Sequence, residues 1–383
     1  MATRFPGLLS VFAVILLCAG VTPSFAQGEL YVANAGTPSI TVYPRTTNGN
    51  VAPIRTLSGA ATGLNSPYDL VADTVNNELI VVNYGNASIT VYPLTANGNV
   101  APLRTIAGAA TGMSSPMSLA LDAVNNELFV VNSSTSSITV FARTASGDVA
   151  PLRTLAGGST SLDFPNGVGV DAVNSEIFVA NFLNNVVYAY ARTANGNVPP
   201  LRGVNSVSMV SPWRVAVDTV NNELVIAGGG GSVWVFARTA SGDVAPLRTL
   251  SGAATGLSSP FGVAVDTLNN ELAVANSGGN SVTAYARTAN GNVAPLRTLA
   301  GAATGLNSPY GVAITTGIVL ASPPAADIPA LGAGGLAVLV LILAALGMLA
   351  MRRMNSQGVA SRSANLYGPT QLRAGARGGQ PDR

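Results

Sequence analysis

The side chains that enzymes most often use for acid–base and covalent chemistry are almost absent from this sequence. It contains no His and no Lys, and its single Cys is Cys18. Without an imidazole or an amine, Ser–His–Asp, Cys–His and Schiff-base mechanisms are excluded, and a zinc site with the usual ligands is not expected. The remaining chemistry would use carboxylates, Tyr or Ser, or an oxygen-ligated Ca²⁺ ion.

One part of the chain combines residue types that commonly anchor a binding partner. Residues 203–212 read GVNSVSMVSP where other copies of this segment read close to GAATGLNSP, and four glycines follow at 228–231. Exposed aromatic residues, Met and Arg are typical interface anchors, and a Trp can also stack on a sugar ring. We interpret the segment as a shallow binding patch, with drift of a duplicated loop as the alternative. The candidate residues are Trp213, Arg214, Met209, Phe182 and Asp163.

A second candidate group is an Asn that recurs at the same place in successive copies of a longer sequence unit. Its amide could cap the turn that follows it, or it could belong to a ring of amides that faces a ligand. Both roles stay open at the level of sequence. The residues are Asn34, Asn83, Asn132, Asn181 and Asn276.

These candidates are carried by a long internal repeat. Each copy contains four short runs of β-branched and aromatic residues, separated by clusters of Gly, Pro and Asn, and no run reaches helix length. We therefore predict four strands per unit, a to d, which in one copy are residues 68–72, 79–83, 88–92 and 101–106. A unit of this length is typical of propeller blades. The Glu of the unit falls at Glu29, Glu78, Glu127, Glu176, Glu223 and Glu271.

The order of strands at the two ends of the array favours a closed ring. Each strand type occurs six times, but the array opens on a strand b at 30–34 and closes on a strand a at 310–314. A linear stack would leave both terminal sheets incomplete, whereas pairing the last strand with the first completes a sixth blade and removes the exposed edges. We predict an all-β fold, a six-bladed β-propeller over residues 27–315, with an open β-solenoid as the alternative.

The repeat resembles two known families. The motifs PFGVAVD, NNELAVAN and SVTAY within residues 260–285 are similar to those of NHL-repeat propellers and YVTN-type surface propellers. The resemblance covers residues 29–315 and implies the propeller scaffold. It does not imply a chemistry, because such families include lactonases, lyases and pure binding modules.

The expected positions of the acids argue against a central cation. In a propeller the d–a and b–c connections lie on one face of the ring, here called the top, and the a–b and c–d connections lie on the bottom. The recurring D-T-V-N-N-E segments fall at a–b connections and are expected to form Asx-type turns. Asp148 and Asp243 fall in c–d connections. The top face then keeps Asp69 and Asp163 alone, too few for an ion that takes six to eight oxygens. We therefore predict no metal and no cofactor.

Both ends of the chain have the features of an envelope protein. Residues 1–26 combine one early Arg, an apolar stretch and a Ser-Phe-Ala exit, the pattern of a secretory signal peptide. If cleavage follows Ala26, the mature chain has no Cys and no disulfide. Residues 329–351 carry no charge and are long enough, at about 1.5 Å per residue, to span a hydrocarbon core of about 30 Å.

The residues around this apolar stretch predict its orientation. Residues 316–328 form a short spacer, and residues 352–383 contain several Arg and one acid, which predicts a basic, disordered tail on the cytoplasmic side. The start at Ile328-Pro329, the apolar stretch and the Arg352-Arg353 pair resemble the IPTL-type C-terminal sorting signal of bacterial surface proteins. The segment could therefore be removed by a sorting protease or remain as a permanent single-span anchor.

The sequence thus predicts an exported bacterial β-propeller that is tethered to the membrane or sorted to the surface. We expect it to bind a glycan, a peptide or a cell-envelope protein and not to catalyse a reaction. The alternatives are a lactonase-like or lyase-like enzyme with a central cation, and a passive surface-layer or spacer element. Nucleic acid is not an expected partner, because acids outnumber Arg over residues 27–327 and no basic stripe is present.

Overall fold

A computed structural model describes residues 28–315 of the chain. The predicted signal peptide at 1–26, the spacer at 316–328, the apolar stretch at 329–351 and the basic tail at 352–383 lie outside the described residues. Among residues 28–315, no helix is long and apolar enough to cross a membrane.

The described chain folds into six blades of four antiparallel strands each, which we call blades 1 to 6, and the sheet of blade 4 gains a short fifth strand at its outer edge. In each blade strand a is innermost, and it contacts the strands a of the two neighbouring blades, so that six strands surround a central channel. Blade 1 consists of β25 (Pro309–Ile314), β1 (Glu29–Asn34), β2 (Ser39–Pro44) and β3 (Arg55–Ser58); blade 2 of β4 (Pro67–Asp73), β5 (Glu78–Asn83), β6 (Ser88–Pro93) and β7 (Arg104–Ile106); blade 3 of β8 (Pro116–Asp122), β9 (Glu127–Asn132), β10 (Ser137–Ala142) and β11 (Arg153–Leu155). Blade 4 consists of β12 (Pro165–Asp171), β13 (Glu176–Asn181), β14 (Val186–Ala191) and β15 (Arg202–Asn205); blade 5 of β16 (Pro212–Asp218), β17 (Glu223–Gly228), β18 (Ser232–Ala237) and β20 (Arg248–Ser251); blade 6 of β21 (Pro260–Asp266), β22 (Glu271–Asn276), β23 (Ser281–Ala286) and β24 (Arg297–Ala300).

The ring closes within blade 1, which confirms the predicted six-bladed propeller. The last strand, β25, pairs antiparallel with β1, and Val32 lies opposite Val312 in the ladder. The hydroxyl of Thr315 accepts a hydrogen bond of 2.9 Å from the Glu29 backbone N–H, immediately beyond the paired residues. The two ends of the repeat array therefore complete one four-stranded sheet, and β1 is paired on both sides.

The hydrophobic core is divided among the spaces between neighbouring blades. Ile80 and Val82 of blade 2, for example, pack in one buried cluster with Leu119 and Val130 of blade 3. The strands are rich in Val, Ile and Leu on both faces, because each sheet is covered by a blade on either side. Packing between blades, and not within one blade, therefore provides most of the apolar burial.

Each c–d connection covers the outer edge of the preceding blade. Gly98 of blade 2 bridges Leu57 of β3 in parallel, and four other blade pairs have the same bridge. Between blades 4 and 5 the bridge becomes a short strand, β19 (Gly242–Asp243), parallel to β15. The placement of Asp148 and Asp243 in bottom-face turns was therefore wrong. The Asp148 carboxylate accepts a 2.7 Å hydrogen bond from the Ala110 N–H, which lies in the 3-10 turn after β7 of blade 2.

The a–b turns form as predicted and carry a network of ion pairs between blades. The Asp73 carboxylate accepts backbone bonds from Val75 and Asn76, which closes its turn. The neighbouring Glu78 accepts two bonds from Arg104 of its own blade, at 2.5 and 2.8 Å, and one of 2.7 Å from Arg143 of blade 3. This arrangement recurs around the ring and links successive blades on the bottom face.

At the seam between blades 1 and 2 the network changes. Leu94 stands where the other blades place the Arg that reaches the preceding blade, and Thr315 stands where they place the turn Asp. The Tyr31 hydroxyl instead donates a 2.6 Å hydrogen bond to Glu29, which also binds Arg55. The acceptor capacity of Glu29 is thus satisfied without the second Arg.

These ion pairs predict a loss of stability in acid. Hydrogen bonds from Arg104 hold the pKa of Glu78 below its ordinary value of 4.5, and Glu127, Glu176 and Glu271 are affected in the same way by their own Arg partners. A lowered folded-state pKa gives stability that is present above about pH 4.5 and is lost as the pH falls through the folded-state value. We expect the free energy of unfolding, measured in urea, to decrease as the pH is lowered below about 4.5.

A Glu78→Gln variant provides the control. It should cost about 1–2 kcal/mol at pH 7, because charge-assisted hydrogen bonds from two Arg are weakened. Its loss on acidification should be smaller than that of the unmodified protein. Equal losses in the two proteins would show that Glu78 does not contribute to the acid sensitivity.

Candidate functional site

Each blade places one residue out of the ladder at the top of its strand a. The pairing of strands a and b shifts register directly after the Pro that begins strand a, so the next residue has no partner in the ladder. Such bulges redirect a side chain and are common next to binding sites. The six residues placed in this way are Tyr68, Met117, Asn166, Trp213, Phe261 and Tyr310.

Four of these bulge residues belong to a continuous row of aromatic rings across the top of the channel. Ring centroids are 4.7 Å apart for Trp213 and Phe261, 4.2 Å for Phe261 and Tyr310, and 4.6 Å for Tyr310 and Tyr68. These spacings are typical of favourable aromatic contacts. The row spans blades 5, 6, 1 and 2, so it joins strands that are far apart in sequence.

The row is extended at both ends by residues of the surrounding loops. Tyr84 stacks on Tyr68 at 4.5 Å, and Phe182 lies 4.5 Å from Trp213. Phe164 follows at 6.1 Å from Phe182, and 40% of its surface is exposed. We call these seven residues the aromatic row: Phe164, Phe182, Trp213, Phe261, Tyr310, Tyr68 and Tyr84.

Phe164 adopts a backbone conformation that is costly for its size. The residue before the strand-a Pro has a positive φ in every blade, and five blades use Ser at this position. Blade 4 places Phe164 there, with φ of 50°. A bulky residue in this region is strained, and such strain is often found at functional sites. The aromatic ring is therefore present at a position where a small polar residue would fit more easily.

A groove opens beside the aromatic row because blade 5 lacks side chains in its b–c connection. The four glycines at 228–231 replace the Asn and larger residues found in other blades, and a Cβ built at Gly230 meets no atom within 4 Å. The groove has a volume of about 570 Å³, within the range of ligand sites. Its lining consists of Phe182, Ser211, Trp213, Gly229, Gly230, Gly231, Ser259, Phe261, Ser277 and Tyr310.

A buried ion pair lies directly beneath the aromatic row. Arg214 projects from blade 5 and places its Nη2 3.3 Å from the Asp69 carboxylate of blade 2. Its Nη1 donates 3.0 Å bonds to the carbonyl oxygens of Met117 and Asn166, and Nη2 donates a 2.9 Å bond to that of Tyr68. One guanidinium thus binds backbone or side-chain oxygens of blades 2, 3 and 4 and closes the neck of the channel.

The carboxylate of Asp69 has two further donors. It accepts bonds from the Ser118 hydroxyl at 2.9 Å and from the Leu119 N–H at 3.1 Å. Burial raises the pKa of Asp69 against the opposing effect of Arg214, and burial lowers the pKa of Arg214. The pair is desolvated, and these hydrogen bonds replace part of its lost hydration, while the buried Nε of Arg214 has no hydrogen-bond partner.

Three blades place Gly at the position that corresponds to Arg214, which lets neighbouring inner strands approach closely. A Cβ at Gly262 would lie 2.3 Å from the carbonyl oxygen of Tyr310, and one at Gly311 would lie 2.8 Å from the Cα of Asp69. Below the ion pair the channel forms a cavity of about 330 Å³ lined mainly by aliphatic residues. Within residues 28–315 there is no group of three or more His, Cys, Asp or Glu side chains that could hold a metal.

The structure separates the members of the predicted patch. Trp213 and Phe182 are partly exposed and line the groove, as the patch requires. Arg214 and Met209 are 4% and 2% exposed, so they are not surface anchors. Arg214 fills the channel neck, and Met209 packs in the core between blades 4 and 5. Asp163 is exposed in the d–a connection of blade 4 and does not line the groove.

The recurring Asn residues are buried and do not form an exposed ring of amides. All five are 0% exposed. In blade 2, Asn83 Oδ1 accepts a 3.1 Å bond from the Asn65 N–H of the d–a connection, and Nδ2 donates to Thr90 at 3.0 Å. The amide therefore ties the end of strand b to the loop that precedes strand a. The same role holds for Asn34, Asn132, Asn181 and Asn276.

Sequence reasoning missed most of the aromatic row. Tyr68, Phe261 and Tyr310 occupy the position after the strand-a Pro, which varies among the blades while the residues around it change little. This variation at one position among nearly constant neighbours was the sequence signal that could have identified these three residues. Tyr84 and Phe164 lie in connections that otherwise carry small polar residues.

The chain resembles known proteins in its fold. No family model matches it, and no curated protein matches it, so the NHL and YVTN resemblance stays a prediction. Among solved structures it is similar to a chain of a nidogen/laminin complex, with 17% identity, a TM-score of 0.55, and coverage of 75% of this chain and 98% of that one. It is also similar to a protein of unknown function from Bacteroides caccae, with 12% identity, a TM-score of 0.54, and coverage of 75% and 98%. A functionally unknown protein from Desulfotomaculum acetoxidans has 11% identity, a TM-score of 0.52, and coverage of 76% and 100%. At these identities the likeness concerns the fold, and the chain is a β-propeller.

Proposed function

We propose that this protein is an exported β-propeller, tethered to the membrane or sorted to the surface, that binds a glycan, peptide or envelope partner through its top face. The observation that carries the proposal is the groove beside the aromatic row. Partly exposed aromatic rings concentrated at one opening, with serines around them, are typical of binding sites. The similar fold in a nidogen/laminin complex is compatible with a binding role.

The channel neck supports binding without catalysis. A central cation would need the carboxylates at the top of the channel, and Asp69 is the acid placed there. Its oxygens already bind Arg214, Ser118 and Leu119. A guanidinium at this point also repels a metal cation. The arrangement therefore disfavours the lactonase-like alternative with a cation held at the neck.

The test of this proposal uses two groove variants. Gly230→Asn adds a polar side chain at the groove wall, where φ is 72° and Asn tolerates the conformation. Trp213→Ala removes the central ring of the groove. We expect each variant to retain less of the components of isolated cell envelopes than the unmodified protein does. The loss should correspond to more than about 1 kcal/mol of apparent binding free energy. Gly98→Asn is the matched control, because Gly98 has φ of 75°, equally open surroundings and lies in the c–d connection of blade 2.

Thermal unfolding separates binding from stability in this experiment. Gly230→Asn should leave the melting temperature close to that of Gly98→Asn. Trp213→Ala should cost about 1–2 kcal/mol, since two aromatic contacts are lost from a partly exposed site. Envelope components retained equally by the unmodified protein and both groove variants would contradict the proposed site.

A further inference from the structure

The chemistry of the groove restricts the class of partner further than the presence of a groove does. None of its lining residues carries a charge. An anionic partner would find no Arg to pair with, because Arg214 lies beneath the row and is bound to Asp69. Burial raises the pKa of the neighbouring Tyr68 to about 12, so its phenol is a neutral hydroxyl at physiological pH. Charge complementarity therefore favours an uncharged partner.

A cationic partner is disfavoured for a separate reason. Aromatic clusters can bind ammonium groups through their ring faces. Here the guanidinium carbon of Arg214 already lies 5.6 Å from the centroid of Phe261. The groove also offers no carboxylate to an incoming cation. The face of Phe261 is therefore already engaged by a cation from below.

The polar groups of the groove match a ligand rich in hydroxyls. The lining provides the hydroxyls of Ser211, Ser259 and Tyr310, which can donate and accept a hydrogen bond, and that of Ser277, which donates to the Ser259 carbonyl oxygen and can still accept one. The glycine connection adds backbone groups that no side chain shields. A proline-rich peptide would present mainly carbonyl acceptors, so it would use only the hydrogen-bond donors of the groove. Mixed donors and acceptors suit a sugar, whose hydroxyls have both properties.

The partly exposed side of Trp213 supplies the apolar surface that a sugar ring needs. Phe261 is 5% exposed and stacks against Trp213 with ring centroids 4.7 Å apart, so it supports Trp213 and leaves the contact with a ligand to it. A β-1,4-linked pyranose with equatorial substituents presents C–H groups on both faces and can pack against this surface. Combined with the hydroxyls at the groove wall, this arrangement binds one face by apolar contact and the edges by hydrogen bonds.

We propose that the groove between blades 5 and 6 binds a neutral β-linked oligosaccharide, with Trp213 as the stacking platform and the serine hydroxyls as its hydrogen-bonding partners. This inference rests on the proposed function, because it names the partner class of the same groove.

The test follows tryptophan emission of the full-length protein in detergent. The chain has two tryptophans, and Trp234 is 1% exposed, so changes in emission report mainly on Trp213. We expect saturable changes on addition of chitohexaose or cellohexaose and none with hyaluronan or polygalacturonate. Gly230→Asn should weaken binding by about tenfold or more, and Gly98→Asn should not change it. Calorimetry should show binding abolished in Trp213→Ala.

The outcomes distinguish this inference from the function on which it rests. Binding of decaproline at Trp213 with no response to either hexaose would overturn the sugar assignment and keep the groove as a peptide site. No response to the sugars, combined with envelope retention that depends on Trp213, would also overturn the assignment in favour of a protein partner. Sugar binding that is unchanged in Gly230→Asn and Trp213→Ala would place the sugar elsewhere and overturn the sugar assignment; envelope retention that is also unchanged in these variants would overturn the proposed function.

Discussion

A chain that ends at Asn307 is expected to lose several kcal/mol of stability relative to one that ends at Thr315. The shorter chain lacks β25 and with it all the ladder partners on the inner side of β1. Each lost backbone hydrogen bond contributes about 0.5–1.5 kcal/mol net, and the burial of Val312 adds apolar area. At about 2–4 °C per kcal/mol, the melting temperature should fall by about 10 °C or more.

The comparison of these two chains isolates the closing strand. Both lack residues 316–383, so any effect of those residues is the same in each. Circular dichroism during heating measures the transition of both proteins. Equal melting temperatures would show that the ring is held by the outer connections and the blade cores without the pairing of β25 with β1.

An Arg214→Met variant is expected to lose about 3–5 kcal/mol, the usual cost of leaving a buried charge without its partner. The side chain would still fill much of the neck, but Asp69 would keep a buried carboxylate with only two donors. The three carbonyl oxygens that Arg214 binds would also lose their donor. Urea unfolding at pH 7 measures the loss.

The double variant Asp69→Ser/Arg214→Met is the matched control, because Ser occupies this position in blade 3. It should recover part of the stability, since the uncompensated charge is gone. The loss in the single variant should also depend on pH. Removing Arg214 raises the pKa of Asp69 further, so the penalty applies above that pKa and decreases as the pH falls. A penalty that is independent of pH and of Asp69 would contradict a paired neck.

The sequence was sufficient for the fold because each blade repeats the same local signals. Strands predicted at 68–72, 79–83 and 88–92 agree with β4, β5 and β6 within one or two residues. Strand d is shorter than predicted, since residues 101–103 belong to the connection that covers the preceding blade. That connection could not be predicted, because its partners lie in another copy of the repeat.

The candidate site was predicted only in part, and the reason is the bulge at the start of strand a. Simple alternation along a strand assigns Trp213 and Arg214 to opposite faces of the sheet, but the register shift between Pro212 and Arg214 removes Trp213 from the ladder. Trp213 then reaches the groove, while Arg214 reaches the neck and contacts three other blades. A residue's burial at such a point depends on partners about 50 to 150 positions away, which no local pattern specifies.

The closure of the ring in blade 1 has a consequence for the order of folding. Glu29 and Thr315 form their contact across 286 positions, so β1 cannot acquire its inner partner until nearly the whole described chain has been synthesised. Contacts of such long sequence separation form slowly, and domains that depend on them expose unpaired edges for longer. Blades 2 to 6 each take their four strands from one continuous segment of the chain and can form as the chain emerges. Blade 1 must therefore be completed last. Until then β1 is unpaired on its inner side, and this edge is where a nascent chain is most open to misassembly.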